Sequence, residues 1–310
     1  MRIVAACPIC SAALPPVSIA SRDRGHATPG RFEIAICAQC GAGVTFPLVD
    51  SAELAGFYPS GYGPHTPPDH TIVTLISRAI RAWQGFLARR RPPLAVLHGR
   101  APGRGVDVGA GRGDSSAMLT ARGWRMTAVE PSSAAVAAIR GRGIDALEGV
   151  LATAALEPSA YDFALFQHSL EHTIDPVADL RRIYAALRPG GLVLVTVPNF
   201  GSWQRRVFGG AWYHLDLPRH RVHFAGPALE RALAAAGFDA VMLSRSSSAV
   251  GLPASLQYRI AGRCLFPDGL GLRVASGLCA VTLPLTALAD RLLGEGDTLH
   301  AVARRPDEPS

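Results

Sequence analysis

Residues 105–114 constrain the fold of this chain more than any other stretch, and they read Gly-Val-Asp-Val-Gly-Ala-Gly-Arg-Gly-Asp. An apolar run that enters a glycine-rich turn, followed by a helix-like segment at 115–122, is typical of a parallel strand that meets a nucleotide-type ligand. Glycines let a ligand approach the backbone because they carry no Cβ, and the free N–H groups lie at a helix start. The turn alone also fits an ordinary strand-to-helix connection. The flanking residues are therefore needed to tell whether it binds a nucleotide-type ligand.

The chain that follows supports a nucleoside site. Residues 124–130 have the pattern of a second strand, which ends in Glu130. A carboxylate at this place in such folds bonds the two ribose hydroxyls of the ligand. Glu130 is therefore the predicted ribose ligand.

Strand-like and helix-like segments alternate from there on, which predicts an α/β fold with a doubly wound sheet. A cap residue and a proline, Asp175 and Pro176, open one of the helices. The continuous apolar run at 192–197 is typical of a strand buried in a parallel sheet. The predicted strands are 143–147, 161–167, 192–197, 238–243 and 298–303, and the predicted helices are 132–140, 176–187 and 227–236.

Two C-x-x-C pairs near the start are the strongest metal signal. Their cysteines are Cys7, Cys10, Cys37 and Cys40. Four thiolates at this spacing can close a tetrahedral zinc site with no open position, so the zinc is expected to be structural. We expect a zinc ribbon at 1–45. At 46–100 we expect a proline-rich connector and an Arg-bearing helix, 71–91. The alternative is two reduced thiol pairs without metal.

Composition narrows the partners only slightly. The formal net charge of the chain is +7. The chain has 31 basic residues other than histidine, and all of them are arginine. A basic balance is compatible with nucleic acid, an anionic membrane surface or a phosphorylated substrate, and it selects none of them. The start lacks the pattern of a secretory signal, and paired cysteines suit a reducing compartment, so a cytoplasmic location is expected.

Several motifs together resemble the class I S-adenosylmethionine-dependent methyltransferases. The resemblance rests on residues 106–113, Glu130, Tyr161-Asp162, Leu170-Glu171-His172 and 187–191. The N-terminal part resembles a subgroup in which a four-cysteine zinc ribbon and a Phe-Tyr-Pro element, here 57–59, precede that core. Residues 212–220 and His223-Phe224 resemble its substrate-side insert.

The resemblance implies a Rossmann-like, seven-stranded fold that binds S-adenosylmethionine. Its last strand would lie between the fifth and sixth strands, within a methyltransferase domain at 101–310. The implied cofactor-binding residues are Asp107, Gly109, Ala110, Gly111 and Gly113 at the methionine moiety, Glu130 with Pro131 at the ribose, Gly149 and Val150 at the adenine, and Gln167 and His168 near the sulfonium. Ala110 departs from the family, which often has Cys there.

The substrate-side insert, 199–227, concentrates aromatic and histidine side chains after the fifth strand. Such a segment at the carboxyl edge of a sheet predicts a lid and an acceptor pocket. Histidine is the natural base near neutral pH. The candidate catalytic residues are His214, His220 and His168, with Asp216 as an orienting group; for each histidine a packing role is the alternative.

Residues 168–172 also match H-x-x-E-H, the pattern of inverted zinc proteases, in which two helical histidines hold the metal. Because a predicted strand ends directly before it and Asp175-Pro176 follows, little more than one helical turn is available. The protease interpretation is therefore disfavoured.

The segment 244–297 would be an insertion before the last strand. It contains an uncharged run, 274–289, that is shorter than the roughly 20 residues that span a bilayer. Burial against the protein itself, a homodimer surface, an acceptor channel and peripheral membrane contact remain open.

The leading hypothesis is a methyltransferase that acts on a small molecule, a lipid-linked intermediate or a sugar, with O-methylation favoured. The alternative is an RNA methyltransferase that grips phosphates with the zinc ribbon and the Arg-rich helix. Residues 167–170 lack the turn typical of amino-base methylation, and 197–199 offer no nucleophilic cysteine, so nucleic acid is disfavoured. A non-enzymatic scaffold is a third hypothesis, against which the intact glycines and Glu130 argue.

Overall fold

A seven-stranded mixed sheet forms the centre of the computed structural model, which describes residues 6–16, 18–26, 28–49, 53–54, 56–58, 93–248, 250–264, 284–293 and 295–307. The order across the sheet is β10-β11-β8-β7-β4-β5-β6. Its strands are β4 (Arg104–Val108), β5 (Arg125–Glu130), β6 (Asp145–Glu148), β7 (Tyr161–Gln167), β8 (Leu187–Pro198), β10 (Asp239–Ser246) and β11 (Thr298–Arg304).

The middle of the sheet is parallel and fully buried. Residues 163–166 of β7 are completely inaccessible to solvent, as expected of a strand covered on both faces. The last strand, β11, runs antiparallel between β8 and β10, with Leu299 opposite Val197. The predicted seven-stranded α/β fold, with the last strand between the fifth and sixth, is therefore confirmed.

Four helices pack on the strands of the sheet: α1 (Asp114–Thr120), α2 (Ser133–Arg140), α3 (Pro176–Ala186) and α5 (Gly226–Ala235). The other described helices are α4 (Trp203–Phe208), α6 (Gly251–Ala261) and α7 (284–293), and α4 packs against α6. The predicted cap is present, since Asp175 accepts a hydrogen bond from the N–H of Ala178 at 2.9 Å. Helix α2 begins in the same way at Ser132, which accepts from the N–H of Ala135.

Strand β8 is longer than the strand predicted at 192–197. It begins at Leu187 and includes residues 189–191. The chain after β11 extends the pairing at this end: the N–H of Gly190 donates to the carbonyl of Arg305, and the N–H of Arg305 donates to the carbonyl of Gly191. The Pro-Gly-Gly sequence therefore ends the helix without delaying the strand.

A second, four-stranded sheet joins the described residues between 6 and 46, which we call the cysteine module, to the substrate-side insert. Strands β1 (Ile19–Ser21), β2 (Phe32–Ile36) and β3 (Gly43–Phe46) are antiparallel, and β9 (Val222–His223) from the insert completes the sheet with Val222 opposite Val44. The hydroxyl of Thr45 also donates to the carbonyl of His220 at 2.7 Å. The N-terminal module therefore packs directly onto the insert that was expected to cover the acceptor.

The insertion before β11 packs partly on the same insert. In α6, the Ser255 hydroxyl accepts from the N–H of Tyr213 at 2.9 Å, and in α7 Asp290 accepts from the indole N–H of Trp203. None of the described helices is long and apolar enough to cross a membrane. Most of the uncharged run 274–289 and the predicted helix at 71–91 lie outside the described residues.

Candidate active site

The glycine turn after β4 forms a tight loop at the carboxyl edge of the sheet. Gly109, Gly111 and Gly113 all have positive φ, at 68°, 54° and 72°. This backbone conformation is open to glycine and strained for other residues. A Cβ on Gly109 would lie 2.6 Å from the Cβ of Ser169. The loop therefore needs glycine for its conformation and, at Gly109, for space.

Asp107 lies beneath this loop and is 2% exposed. Its carboxylate accepts a hydrogen bond from the Ser116 hydroxyl at 2.7 Å. Burial, together with the nearby negative charge of Glu130, raises the pKa of Asp107 to about 6. A cationic ligand at this site would stabilise the carboxylate as the anion.

Glu130, at the end of β5, closes the loop from the other side. One of its carboxylate oxygens accepts from the N–H of Gly111 at 2.8 Å, and the other accepts from the N–H of Ser132 at 3.0 Å. Each oxygen can accept more than one hydrogen bond, so this geometry is compatible with ribose hydroxyls. Pro131 is exposed beside it, and Ala110 is half-buried in the loop. The role of Glu130 as ribose ligand stays a prediction.

The predicted adenine edge follows the end of β6. Gly149 has a φ of 130°, and its N–H donates to the carbonyl of Glu130 at 3.0 Å. The next side chain, Val150, is 53% exposed. An exposed apolar side chain can contact the face of a base, and the adenine contact of Val150 stays a prediction.

Gln167 and His168 lie at the end of β7, across the loop from the predicted adenine edge. The Gln167 side chain accepts a hydrogen bond from the Ser115 hydroxyl at 3.4 Å, which places it beside the start of α1. His168 is exposed over 44% of its side chain and has a φ of 53°. Its Nδ1 lies 3.5 Å from Oε1 of Glu171. Both residues therefore lie at the carboxyl edge of the sheet, and their contact with the region of the sulfonium stays a prediction.

Glu171 is the centre of a buried histidine cluster. Its side chain is 2% exposed, and Nε2 of His220 lies 3.9 Å from Oε1. Burial opposes ionisation, but His168, His220 and His172 outweigh it and lower the pKa of Glu171 to about 2. Burial, with a contribution from His172, also lowers the pKa of His220 to about 4. Glu171 is therefore an anion, and the His220 imidazole beside it is largely neutral at neutral pH.

In the sequence, Glu171 and His172 belong both to the methyltransferase resemblance and to the disfavoured protease motif. In the structure Leu170–His172 is a single 3-10 turn, and His168 is not helical. The two histidines that the protease pattern requires on one α-helix therefore do not share one. The partner that sequence spacing could not show is His220, whose ring centroid lies 4.8 Å from that of His172.

The structure separates the four predicted catalytic residues. His168 and His220 both face Glu171. His214 instead pairs with the buried Asp297 at 3.2 Å. Asp216 binds Arg219 at 2.6 Å and lies 3.8 Å from His220. The spacing of these residues in the sequence did not predict that His214 lies apart from His168 and His220. Its partner, Asp297, lies just before β11 and is distant in sequence.

The four predicted zinc ligands come together at one end of the cysteine module. Their sulfur atoms all lie within 4.8 Å of one another, with Cys7 and Cys40 at 3.6 Å and Cys10 and Cys37 at 3.5 Å. Zinc with thiolate bonds of about 2.3 Å holds tetrahedral sulfurs about 3.8 Å apart. The cluster therefore fits a structural zinc ion.

The sheet order, the glycine loop and the acids that end β4 and β5 define a class I S-adenosylmethionine-dependent methyltransferase. Residues 76–243 match the family described as a methyltransferase domain. The match spans more than half of the chain, and the chain belongs to this family. The predicted resemblance is thus confirmed for the methyltransferase core.

Curated relatives are methyltransferases of biosynthetic pathways. Malonyl-[acyl-carrier protein] O-methyltransferase of Serratia marcescens is 30% identical over 155 residues, which are 48% of this chain and 60% of the relative. Ubiquinone/menaquinone biosynthesis C-methyltransferase of Rubrivivax gelatinosus is 27% identical over 142 residues, 45% of this chain and 54% of the relative. The chain thus spans a little over half the length of these relatives.

A solved structure shows the same fold. The putative methyltransferase of Haloferax volcanii, in complex with the Trm112 methyltransferase activator, superposes with a TM-score of 0.50 at 16% identity. The likeness covers 74% of this chain and 97% of that chain. At this identity the likeness concerns the fold alone.

Proposed function

We propose that this protein transfers a methyl group from S-adenosylmethionine to an oxygen atom of a small-molecule acceptor. The observation that carries the proposal is the position of His168, a partly exposed imidazole that borders the glycine loop and contacts the buried anion Glu171. Methylation of a hydroxyl oxygen needs a base that removes the hydroxyl proton close to the bound cofactor. A base and a cofactor loop at the same edge of the sheet meet this requirement.

The residues around the loop fit the cofactor. The proposed contacts are those of Asp107 and the glycine loop with the methionine moiety, Glu130 and Pro131 with the ribose, Gly149 and Val150 with the adenine, and Gln167 and His168 with the region of the sulfonium. When bound, S-adenosylmethionine supplies a methyl group that its sulfonium already activates. The protein then has to hold the acceptor in line and remove a proton.

His168 is the proposed base. Because its Nδ1 faces Oε1 of Glu171 at 3.5 Å, Nε2 is the nitrogen available to the acceptor hydroxyl. Nε2 would accept the hydroxyl proton as the acceptor oxygen takes the methyl group and S-adenosylhomocysteine leaves with the electrons of the broken S–C bond. The carboxylate of Glu171 stabilises the imidazolium that results. Glu171 therefore acts as a positioning residue for His168.

The acceptor class follows from the relatives and the insert. Two relatives are named for O-methylation, one on malonyl-[acyl-carrier protein] and one in ubiquinone biosynthesis. A small biosynthetic intermediate, a lipid-linked one or a sugar, with a free hydroxyl or carboxyl, is the acceptor that we propose. The substrate-side insert, held in place by the cysteine module through β3 and β9, would cover it.

A structural zinc ion in the cysteine cluster is part of the same proposal. Four buried or half-buried sulfurs at tetrahedral spacing support it. Since thiolates occupy every position of such a site, this ion would stabilise the module and take no part in chemistry.

Binding and transfer can be measured separately. Calorimetry with S-adenosylhomocysteine should show one site per chain, and labelled methyl transfer should appear in small-molecule or lipid fractions of a cell extract. His168→Asn should keep the binding and lower transfer by roughly 10²-fold or more. The matched control is His98→Asn, which changes an exposed histidine beside Arg122 and should transfer normally. Absence of S-adenosylhomocysteine binding by the wild type would overturn the proposal.

A further inference from the structure

Glu171 has an unusual environment for a buried carboxylate. Its side chain is 2% exposed, and among the described residues neither of its oxygens accepts a hydrogen bond. Nδ1 of His168 and Nε2 of His220 lie 3.5 and 3.9 Å from its Oε1. A buried carboxylate normally has partners within hydrogen-bond distance because desolvation without them is costly. Among the described residues, the Glu171 carboxylate therefore has no hydrogen-bond donor that satisfies it.

The histidines beside Glu171 already use one nitrogen elsewhere. Nδ1 of His172 lies 3.0 Å from the carbonyl of Arg219, and Nδ1 of His220 lies 2.9 Å from the carbonyl of His214. A carbonyl can only accept, so Nδ1 carries the proton in both rings. Nε2 is then the nitrogen with the lone pair. A metal-ligating histidine typically donates its other N–H to a backbone carbonyl in this way, which sets the tautomer.

The spacing fits a metal ion better than a shared proton. One ring nitrogen from each of His172 and His220 and one carboxylate oxygen of Glu171 all lie within 4.8 Å of one another. The 3.9 Å between Nε2 of His220 and Oε1 of Glu171 is too long for a hydrogen bond. Two ligands that are each about 2.1 Å from one metal ion lie roughly 3 to 4 Å apart. Small inward shifts of the three side chains would close the site.

We propose that Glu171, His172 and His220 bind one divalent transition-metal ion, at a site separate from the cysteine cluster. Imidazole nitrogens favour such ions over magnesium or calcium, and two histidines with one carboxylate leave coordination positions open. His172 is only half-buried, so small molecules can reach the site.

The position of this site suits it to bind the methyl acceptor, and this role rests on the proposed function. Ser169, whose Cβ packs against Gly109, is two residues from Glu171, so the site lies at the acceptor side of the glycine loop. An open position on the ion can bind an acceptor hydroxyl or carboxyl oxygen and lower the pKa of a bound hydroxyl. The acceptor class narrows accordingly to compounds with an oxygen that coordinates metal, such as a catechol, a hydroxy acid or a vicinal diol.

Cobalt binding tests the site directly. The full chain, with one Zn²⁺ equivalent in its cysteine cluster, is titrated with Co²⁺ by calorimetry. We expect one Co²⁺ equivalent, and X-ray absorption at the cobalt edge should show nitrogen and oxygen ligands, two of them imidazoles, without sulfur. Sulfur around the cobalt, or no binding beyond the cysteine cluster, would overturn the proposal.

Variants identify the ligands. Glu171→Gln and His220→Asn should each weaken Co²⁺ binding by at least about tenfold, whereas His300→Asn, a half-buried histidine bonded to Thr196 and Ser246, should bind as the wild type does. Unchanged affinity in both ligand variants would refute the assignment. S-adenosylhomocysteine binding, measured on the same samples, reports their folding. Its absence in the wild type would remove the proposed function and leave the cobalt result standing.

Discussion

Arg219 and Asp23 form an ion pair at 3.0 Å in which the two side chains are 0% and 1% exposed. Asp23 belongs to the loop after β1 of the cysteine module, and Arg219 belongs to the substrate-side insert. The same guanidinium binds Asp216 and donates to the carbonyl of Phe57 at 2.7 Å. One buried cation therefore connects the module, Phe57 and the insert.

Asp23→Ala should destabilise the protein by about 3 kcal/mol, because it leaves Arg219 buried with half of its negative partners removed. Denaturant unfolding followed by circular dichroism measures the loss. Asp307→Ala, which breaks the exposed pair with Arg304, should cost less than about 1 kcal/mol. Equal losses in the two variants would mean that burial of the Asp23 pair contributes nothing.

Asp107→Asn should change how stability depends on pH. Because the folded protein raises the pKa of Asp107 from 3.8 to about 6, its contribution is fully present below the unfolded pKa and is lost as the pH rises through 6. The asparagine variant avoids this loss. Relative to wild type, the ligand-free variant should gain up to about 3 kcal/mol between pH 4 and pH 7.5.

Unfolding free energies at the two pH values test this, since steric effects of the amide cancel in the difference. Binding of S-adenosylmethionine should become weaker in the same variant, because the buried anion that faces the cationic ligand is gone. A difference between variant and wild type that does not vary with pH would show that Asp107 titrates normally.

Gly109→Ala should impair the cofactor loop more than its backbone strain alone explains. Its φ of 68° costs about 1 to 2 kcal/mol for alanine, and the new Cβ would also lie 2.6 Å from the Cβ of Ser169. We expect at least tenfold weaker S-adenosylhomocysteine binding by calorimetry. Gly143→Ala is the matched control, since its φ is 74° and nothing lies within 4 Å of the added Cβ; equal binding by both variants would contradict the steric argument.

Cys37→Ser should remove about one zinc equivalent per chain and lower the thermal midpoint, because three thiolates hold the ion less tightly and β3 would lose its support. Elemental analysis of purified protein measures the zinc. Cys264→Ser changes a free cysteine that lies outside the cluster and should keep the zinc. Wild-type protein without zinc would contradict the structural-zinc proposal.

Local patterns predicted most of the core. The limits of β7 and the cap at Asp175 follow from apolar runs and capping chemistry, which depend on residues close in the chain. Strand β3 was not predicted, and β8 begins five residues before its predicted start at 192. Both depend on partners that are distant in sequence: β9 in the insert, and the chain after β11.

The amino-acid sequence by itself determined the glycine loop, the order of strands and helices, and the four cysteines, because spacing along one chain segment is enough to specify a turn, a periodic face or a C-x-x-C pair. Only the tertiary structure decided which histidines face which acids. His214 pairs with Asp297, whereas His172 and His220 lie beside Glu171. Buried polar groups pair with whatever the fold brings within a few ångströms, and that depends on the packing of the insert against the sheet.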